Sequence, residues 1–221
     1  MTILASCWRT GGIPSWRPRG TWETCPALWS GPKTSIFEAI SACRIISSIK
    51  EAGMKRSMPS PILPMAPEHA AQIAAWRYPG EYALYNWPEG EPPCNLLDSG
   101  SYVLLNQTGG LVGFYQFGAE ARIPTEGASP YLPGFLDMGL GLRPDLCGLG
   151  LGKSFVLAGM DFAQSRLRAE SLRLTVAAFN LRARKVYERC GFVAVGEAVH
   201  RKEHTPFWIL TWQNAACRAS R

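Results

Sequence analysis

From Pro61 onward, short apolar runs alternate with stretches in which apolar residues recur every three or four positions. The first pattern is typical of strands and the second of amphipathic helices. Gly109 and Gly110 separate two apolar runs, which predicts a hairpin turn between them. Strands are predicted at 62–64, 101–106, 111–118, 131–142, 172–176, 193–197 and 206–212, and helices at 68–76 and 153–164, with a third, shorter helix ending before Gly191. This order predicts a mixed α/β sheet with flanking helices rather than a repeating βαβ array.

Residues 1–57 have no sustained period and are rich in Gly, Pro, Ser, Arg and Trp, with one candidate helix at 35–50. Three interpretations stay open: a disordered or targeting-like extension, a small accessory element, or translation from a start upstream of a true start at Met54 or Met58. We favour the third, because a complete domain begins near Pro61. The expected organisation is an extension at 1–57, a domain at 58–214 and a frayed tail at 215–221.

Composition narrows the class of protein. The chain has 221 residues, of which 47% are hydrophobic and 18% charged, as in globular proteins that fold around a core. No apolar run is long enough to span a bilayer. The net charge is +6, but residues 1–57 contain eight Lys or Arg against three Glu, so most of the excess lies in that segment. The charge is therefore weak support for nucleic-acid binding by the domain.

The cysteines predict neither a disulfide framework nor a zinc site. There are seven, an odd number, and no C-x-x-C is present. His200 and His204 are four residues apart, but no third ligand is evident, so no metal site is predicted. Reduced cysteines of this kind are typical of a cytoplasmic protein, which is the expected location.

The most informative stretch is 136–152, LDMGLGLRPDLCGLGLG, which predicts a strand, a Pro-Asp turn, a glycine-rich loop and a helix start. Glycines at 148, 150 and 152 let the backbone approach a ligand closely. The unpaired N–H groups and the dipole of the following helix favour an anion such as a pyrophosphate. The G-x-G-x-G spacing differs from the dinucleotide-binding G-x-G-x-x-G, and no P-loop motif is present.

A second motif follows within LRLTVAAFNLRARKVYERCGF, at 172–192. Asn180, Tyr187, Gly191 and Phe192, together with the glycine loop, resemble the two motifs of the GNAT superfamily of acyl-CoA N-acyltransferases. That family usually has Arg or Gln at the start of the loop, whereas Cys147 stands there. The resemblance covers roughly residues 59–213 and implies the GNAT-like fold, in which the central strand splays from its neighbour and helices flank the sheet.

The resemblance also implies an acetyl-CoA site and no metal. The pyrophosphate of acetyl-CoA would lie on the backbone of the glycine loop, and its pantetheine arm would pair with the edge of the central strand. The implied cofactor-binding residues are Leu140, Gly141, Leu142, Cys147, Gly148, Leu149, Gly150, Leu151, Gly152, Lys153, Asn180 and Tyr187. Asn180 either bonds a pantetheine amide or caps its helix, and both roles are compatible.

For catalysis, Tyr187 is the candidate general acid toward the CoA sulfur, or else packs on the cofactor without proton transfer. The Leu140 N–H is the candidate group for polarising the thioester carbonyl. Asp137 is the candidate base, because it precedes Leu140 by three positions on the central strand. Glu120 and Glu126 are further carboxylates near the expected groove, although a relay through water would make a dedicated base unnecessary.

The predicted function is transfer of an acetyl group from acetyl-CoA to a primary amine by direct attack on the thioester. The alternative is a non-catalytic acyl-CoA-binding or regulatory module, which Cys147 favours and Asn180 and Tyr187 oppose. An RNA-associated protein is a third class that rests only on residues 1–57. The expected partners are a small-molecule or protein amine and, through the aromatic last strand, a second copy of the chain, with no nucleic acid and no membrane.

Overall fold

A computed structural model describes residues 61–89, 94–97 and 100–214. The predictions for the extension at 1–57, the helix at 35–50, the alternative starts at Met54 and Met58, and the tail at 215–221 lie outside these residues. No helix within the described ranges is long and apolar enough to cross a membrane.

The described residues form one mixed sheet with three α-helices. In chain order the elements are β1 (Ile62–Pro64), α1 (Pro67–Ala74), β2 (Ser101–Leu105), β3 (Leu111–Phe117), β4 (Leu136–Leu142), α2 (Gly152–Arg166), β5 (Ser171–Ala177), α3 (Leu181–Arg189), β6 (Val193–Val199) and β7 (Pro206–Gln213). The strand order is β1-β2-β3-β4-β5-β7-β6, and β4–β5 is the one parallel pair among these strands. The predicted mixed α/β fold with flanking helices is confirmed.

The predicted central strand, 131–142, begins too early. The observed strand starts at Leu136 because Pro133 lacks an N–H for the ladder and Gly134 has a positive φ of 96°. Tyr131 instead lies in the preceding loop, where its ring lies beneath the guanidinium groups of Arg122 and Arg173. The remaining predicted strands and helices agree with the observed ones to within about two residues.

Each face of the sheet has its own hydrophobic core. On one face α2 and α3 pack against Leu172, Leu174 and Val176 of β5. On the other face α1 and the aromatic segment that follows it, residues 77–87, pack against β3 and Ala177. Alternate residues of a strand point to opposite faces, so β5 contributes its even-numbered side chains to the first core and Ala177 to the second.

Strands β4 and β5 pair only where they begin. The register contains Leu136 opposite Leu172 and Asp137 opposite Arg173, and no later pair joins the two strands. Beyond these residues β4 stays paired with β3, and β5 stays paired with β7. The two strands therefore enclose a gap that opens toward their carboxyl ends, which is the splay that the family resemblance implies.

Candidate active site

The glycine-rich loop connects the open end of β4 to the start of α2. A short 3₁₀ turn at Pro144–Leu146 leads into it, and Gly148 and Gly150 adopt positive φ values of 85° and 80°. Leu151 precedes α2 without a side-chain cap, and the first turn contains no acidic residue. The first N–H groups of α2 therefore lack side-chain partners, and the positive end of the helix dipole faces the loop.

A cavity of about 290 Å³ lies between this loop, β4 and α3. Its lining residues are Leu140, Leu142, Cys147, Gly148, Gly150, Gly152, Lys153, Phe155, Val156, Asn180, Arg182, Ala183, Val186, Tyr187 and Arg189. Three of these side chains are cationic and none is a carboxylate, so the electrostatics of the cavity favour an anionic guest. No group of three or more His, Cys, Asp or Glu side chains in the described ranges could hold a metal ion.

Three of the twelve predicted cofactor-binding residues do not line the cavity. Gly141 lies beneath the ring of Phe114 on the opposite face of the sheet, Leu149 projects partly into solvent, and Leu151 is buried in the core. The other nine do line it. A backbone contact from Leu149 or Leu151 remains a prediction, because an anion bound at the loop would meet N–H groups rather than side chains.

The gap exposes a row of backbone polar groups on β4. The N–H of Arg143 bonds to the Val112 oxygen at 3.0 Å, and the Asp137 oxygen accepts from Gly118 at 2.9 Å. Backbone groups alternate in direction along an antiparallel ladder, so the odd-numbered residues of β4 face β3. Leu140 and Leu142 therefore direct their N–H and C=O groups into the gap.

Tyr187, on α3, and Asn180, at the N-terminus of α3, both line the cavity. Tyr187 is buried and packs edge-on against Phe192. The Oδ1 of Asn180 accepts a hydrogen bond from the Ala183 N–H at 3.1 Å, and its Nδ2 donates to the Tyr85 hydroxyl at 3.2 Å. Of the two roles left open for Asn180, capping of α3 is present in the structure, and contact with pantetheine remains a prediction.

Asp137 lies outside the cavity, in a buried ion pair. Arg173 donates two hydrogen bonds to its carboxylate, at 2.6 and 2.9 Å, and Arg122 donates a third at 2.7 Å. The Asp137 and Arg173 side chains are each only 3% exposed. The carboxylate is held by two guanidinium groups and does not line the cavity, which argues against Asp137 as the base. Glu126, the other candidate with a described contact, hydrogen-bonds to His204.

Cys147 closes the end of β4 where the family usually has Arg or Gln. Its thiol lies 3.7 Å from the Leu142 oxygen and 3.6 Å from the Arg143 oxygen, both at hydrogen-bonding distance for sulfur. Burial raises the pKa of this thiol, and the nearby Arg182 acts in the opposite direction. Cys147 therefore lines the cavity, and its contact with the cofactor stays a prediction.

The sequence argument did not assign the apolar part of the lining. Phe155 and Val156 lie near the start of α2, and Val186 lies one turn before Arg189 on α3. Their signal was the helical spacing itself, since residues three to four apart share a face. Arg182 and Arg189 of α3 also line the cavity.

Comparisons with known proteins agree with this geometry. The family model described as "Acetyltransferase (GNAT) domain" matches residues 62–193. A chimeric spermidine N-acetyltransferase from Vibrio cholerae and hSSAT has a TM-score of 0.56 at 16% identity, covering 73% of this chain and 99% of that chain. A GNAT-family acetyltransferase from Bacillus anthracis has a TM-score of 0.53 at 13% identity, covering 69% of this chain and 93% of that chain. No curated protein sequence matches the chain.

Proposed function

The chain belongs to the GNAT acetyltransferase family, whose members transfer an acetyl group from acetyl-CoA to an amine, and from this premise we propose how its residues do so. One observation carries the proposal. The open edge of β4, the glycine loop and Tyr187 all border a single cavity. An acyl donor with a phosphate-rich end and an extended amide arm fits such a cavity.

The lining residues fit acetyl-CoA in charge and in shape. The N–H groups of 148–153 and the ammonium of Lys153 would hold the pyrophosphate. Arg182 and Arg189 add positive charge along α3. The Leu140 oxygen and the Leu142 N–H, which face the gap, would pair with the pantetheine amides as a neighbouring strand does.

Acetyl-CoA supplies the acetyl group as an activated thioester. The Leu140 N–H donates to the carbonyl oxygen on which charge develops. The neutral amine nitrogen of the acceptor forms a bond to the carbonyl carbon, and the bond from that carbon to sulfur breaks. The hydroxyl of Tyr187 donates its proton to the departing sulfur, and the proton lost by the amine passes to water. Tyr187 is then reprotonated from solvent, so the cycle balances without a dedicated base, and Asp137 has no part in it.

The proposed acceptor is a primary amine of a small molecule or of a protein. The spermidine N-acetyltransferase neighbours act on one such amine, but they share only the fold with this chain. The loops at 77–87 and 119–133 would form the walls of the acceptor site, because residues of both loops pack on the face of the sheet opposite the cavity. The second candidate, a non-catalytic acyl-CoA-binding module, rests on Cys147 in place of Arg or Gln.

We also propose a domain at 58–214 that acts in the cytoplasm, alone or as a homodimer. Within the ranges that the structure describes, Cys147 and Cys190 form no disulfide, which supports a reducing location. The aromatic residues of β7 support the dimer only through the general enrichment of aromatic side chains at interfaces.

Calorimetric titration of acetyl-CoA and CoA into the full chain, followed by CoA-thiol release with a panel of amines, tests the proposal. We expect micromolar binding and turnover with at least one amine. Tyr187→Phe should lower kcat at least tenfold while the Kd for CoA stays within about twofold, since one proton donor contributes roughly 10²–10⁴-fold. Folded protein that binds neither compound refutes the proposal, and binding without turnover on any amine supports the non-catalytic module. An unchanged kcat in the variant removes the acid role of Tyr187.

A further inference from the structure

We propose that Tyr78 and Tyr85 form a brace that holds the carboxyl ends of β4 and β5 apart, so that the gap for the acyl-CoA arm exists before the ligand binds. Both are positioning residues, because they act through the strands and do not line the cavity. The inference rests on the proposed function, since it concerns the same gap.

The first contact of the brace is on β4. The Tyr78 hydroxyl donates to the Leu142 oxygen at 2.9 Å in a buried hydrogen bond. This oxygen is one of those that the strand ladder directs into the gap, at the last residue of β4. Burial raises the pKa of Tyr78 far above its ordinary value, which favours the protonated hydroxyl that donates this bond.

The second contact reaches β5 through Asn180. Ala178 donates to the Pro206 oxygen at 2.8 Å, so the even-numbered residues of β5 face β7 and Ala177 faces the gap. The Tyr85 hydroxyl accepts from the Nδ2 of Asn180 at 3.2 Å, and the Asn180 N–H donates to the Ala177 oxygen at 2.9 Å. Burial raises the pKa of Tyr85 to about 12. Tyr85 is thus linked through the cap of α3 to the last residue of β5.

The two tyrosines belong to one closed segment, and Asn86 closes it. The Tyr78 N–H donates to the Oδ1 of Asn86 at 2.7 Å, and the Nδ2 of Asn86 donates to the backbone carbonyl oxygen of Tyr78 at 3.3 Å. The Asn86 N–H donates to the Ala83 oxygen, and a 3₁₀ helix at Gly80–Tyr85 occupies the space between. Because the segment bonds to itself at both ends, the separation of the two hydroxyls is fixed by its own geometry.

Such a brace lowers the cost of binding. Neighbouring strands that pair lie about 4.8 Å apart, which leaves no room for a third chain between them. With their ends free, β4 and β5 could satisfy their inner backbone groups by closing on each other. Tyr78 satisfies the Leu142 oxygen of β4, and Asn180, to which Tyr85 bonds, satisfies the Ala177 oxygen of β5, which favours the open arrangement. A site that is open in advance spends less of its binding free energy on rearrangement.

The test compares Tyr78→Phe, Tyr85→Phe and the double variant in the full chain, with the Kd for free CoA and kcat at saturating acetyl-CoA as readouts. Each single variant should raise the Kd about fivefold, which is the equivalent of one net hydrogen bond, and change kcat less than twofold. The Kd of the double variant should not exceed the higher of the two single-variant Kd values, because losing either contact releases the brace. Independent, multiplicative effects, an unchanged Kd or tighter binding would each overturn it; tighter binding would mean that Tyr78 competes with the ligand for Leu142.

Two further variants separate the brace from general stability. Tyr115→Phe removes a buried hydroxyl that donates to the Phe155 oxygen at 2.7 Å. This bond is of the same kind but involves neither β4 nor β5. The variant should lose similar stability and keep the Kd of the wild type. Asn86→Ala leaves both hydroxyls in place but opens the segment, and should weaken CoA binding like the single tyrosine variants. An unchanged Kd in Asn86→Ala refutes the brace, whereas failure of the proposed function appears already as absent binding in the wild type.

Discussion

Asp137→Asn tests the electrostatics at the vertex of the gap, where β4 and β5 still pair. The substitution keeps the shape of the side chain and removes its charge. Arg173, with a side chain only 3% exposed, would lose its counter-charge, and both of its hydrogen bonds to the carboxylate would weaken. Breaking a buried pair in this way typically costs about 3–5 kcal/mol.

Arg122 adds little to that figure. Its side chain is 40% exposed, so solvent screens its interaction with Asp137, and pairs of this kind are worth roughly 0–1 kcal/mol. The expected loss of about 3–5 kcal/mol is a large part of the 5–15 kcal/mol that typically stabilises a domain. We therefore expect the variant to be folded at low temperature and to unfold well below the wild type.

The assay is urea unfolding at neutral pH, with the change in midpoint converted at constant m-value. Asp145→Asn is the matched control, since its pair with Arg143 has the same 2.7 Å contact but exposed fractions of 54% and 27%. The control should lose no more than about 1 kcal/mol. Equal losses in the two variants would refute the argument from burial. If folded Asp137→Asn binds CoA normally but fails to turn over, Asp137 must be reinstated as the base.

Three further predictions follow from the strand, the loop and a buried thiol. Gly141→Ala should lower the melting temperature by several degrees, because its Cβ would overlap the ring of Phe114, whereas Gly139→Ala meets only atoms at ordinary contact distance and should lose far less. Gly150→Ala should weaken CoA binding, measured by calorimetry, because a φ of 80° strains alanine by about 1–2 kcal/mol although its Cβ meets nothing; full affinity would contradict this. Burial raises the pKa of Cys190 to about 11, so the stabilisation that its neutral thiol provides is complete below pH 9 and is lost as the pH rises toward 11. Cys190→Ala should flatten the fall in unfolding free energy between pH 9 and 11, and parallel profiles would count against this cause.

The parts of the site that the sequence predicted are those that depend on neighbouring residues. The glycine loop, the start of α2 and the Asn180 cap each involve groups within a few positions of one another, so local rules suffice. Asp137 shows the limit of that reasoning. Its place on β4 was predicted correctly, but its partner Arg173 lies 36 positions later on a different strand. Nothing in the local pattern distinguishes a carboxylate in a groove from one in a buried ion pair.

The aromatic segment shows the same limit of local reasoning. Tyr78 and Tyr85 of this segment are buried, which agrees with a place in the core but does not reveal what their hydroxyls contact. Their hydroxyl contacts span 64 positions from Tyr78 to Leu142 and 95 positions from Tyr85 to Asn180. Such contacts follow from the strand order and the direction of each backbone group, which composition and spacing do not encode.

The pairing of the outer edges explains why the gap can stay open at modest cost. Strand β4 directs its odd-numbered backbone groups to β3, and β5 directs its even-numbered groups to β7, so each strand is paired along one whole edge. Opening the sheet leaves only the inner edges without strand partners. At the end of β4 the Tyr78 hydroxyl bonds to Leu142, and at the end of β5 Asn180, which bonds to Tyr85, bonds to Ala177. Asp137 with Arg173 joins the strands at the vertex. Between these points the Leu140 oxygen and the Leu142 N–H remain for an incoming chain of amides, and the Leu140 N–H remains for the thioester carbonyl. The same arrangement therefore accounts for the stability of the open sheet and for its preference for an extended, amide-containing ligand.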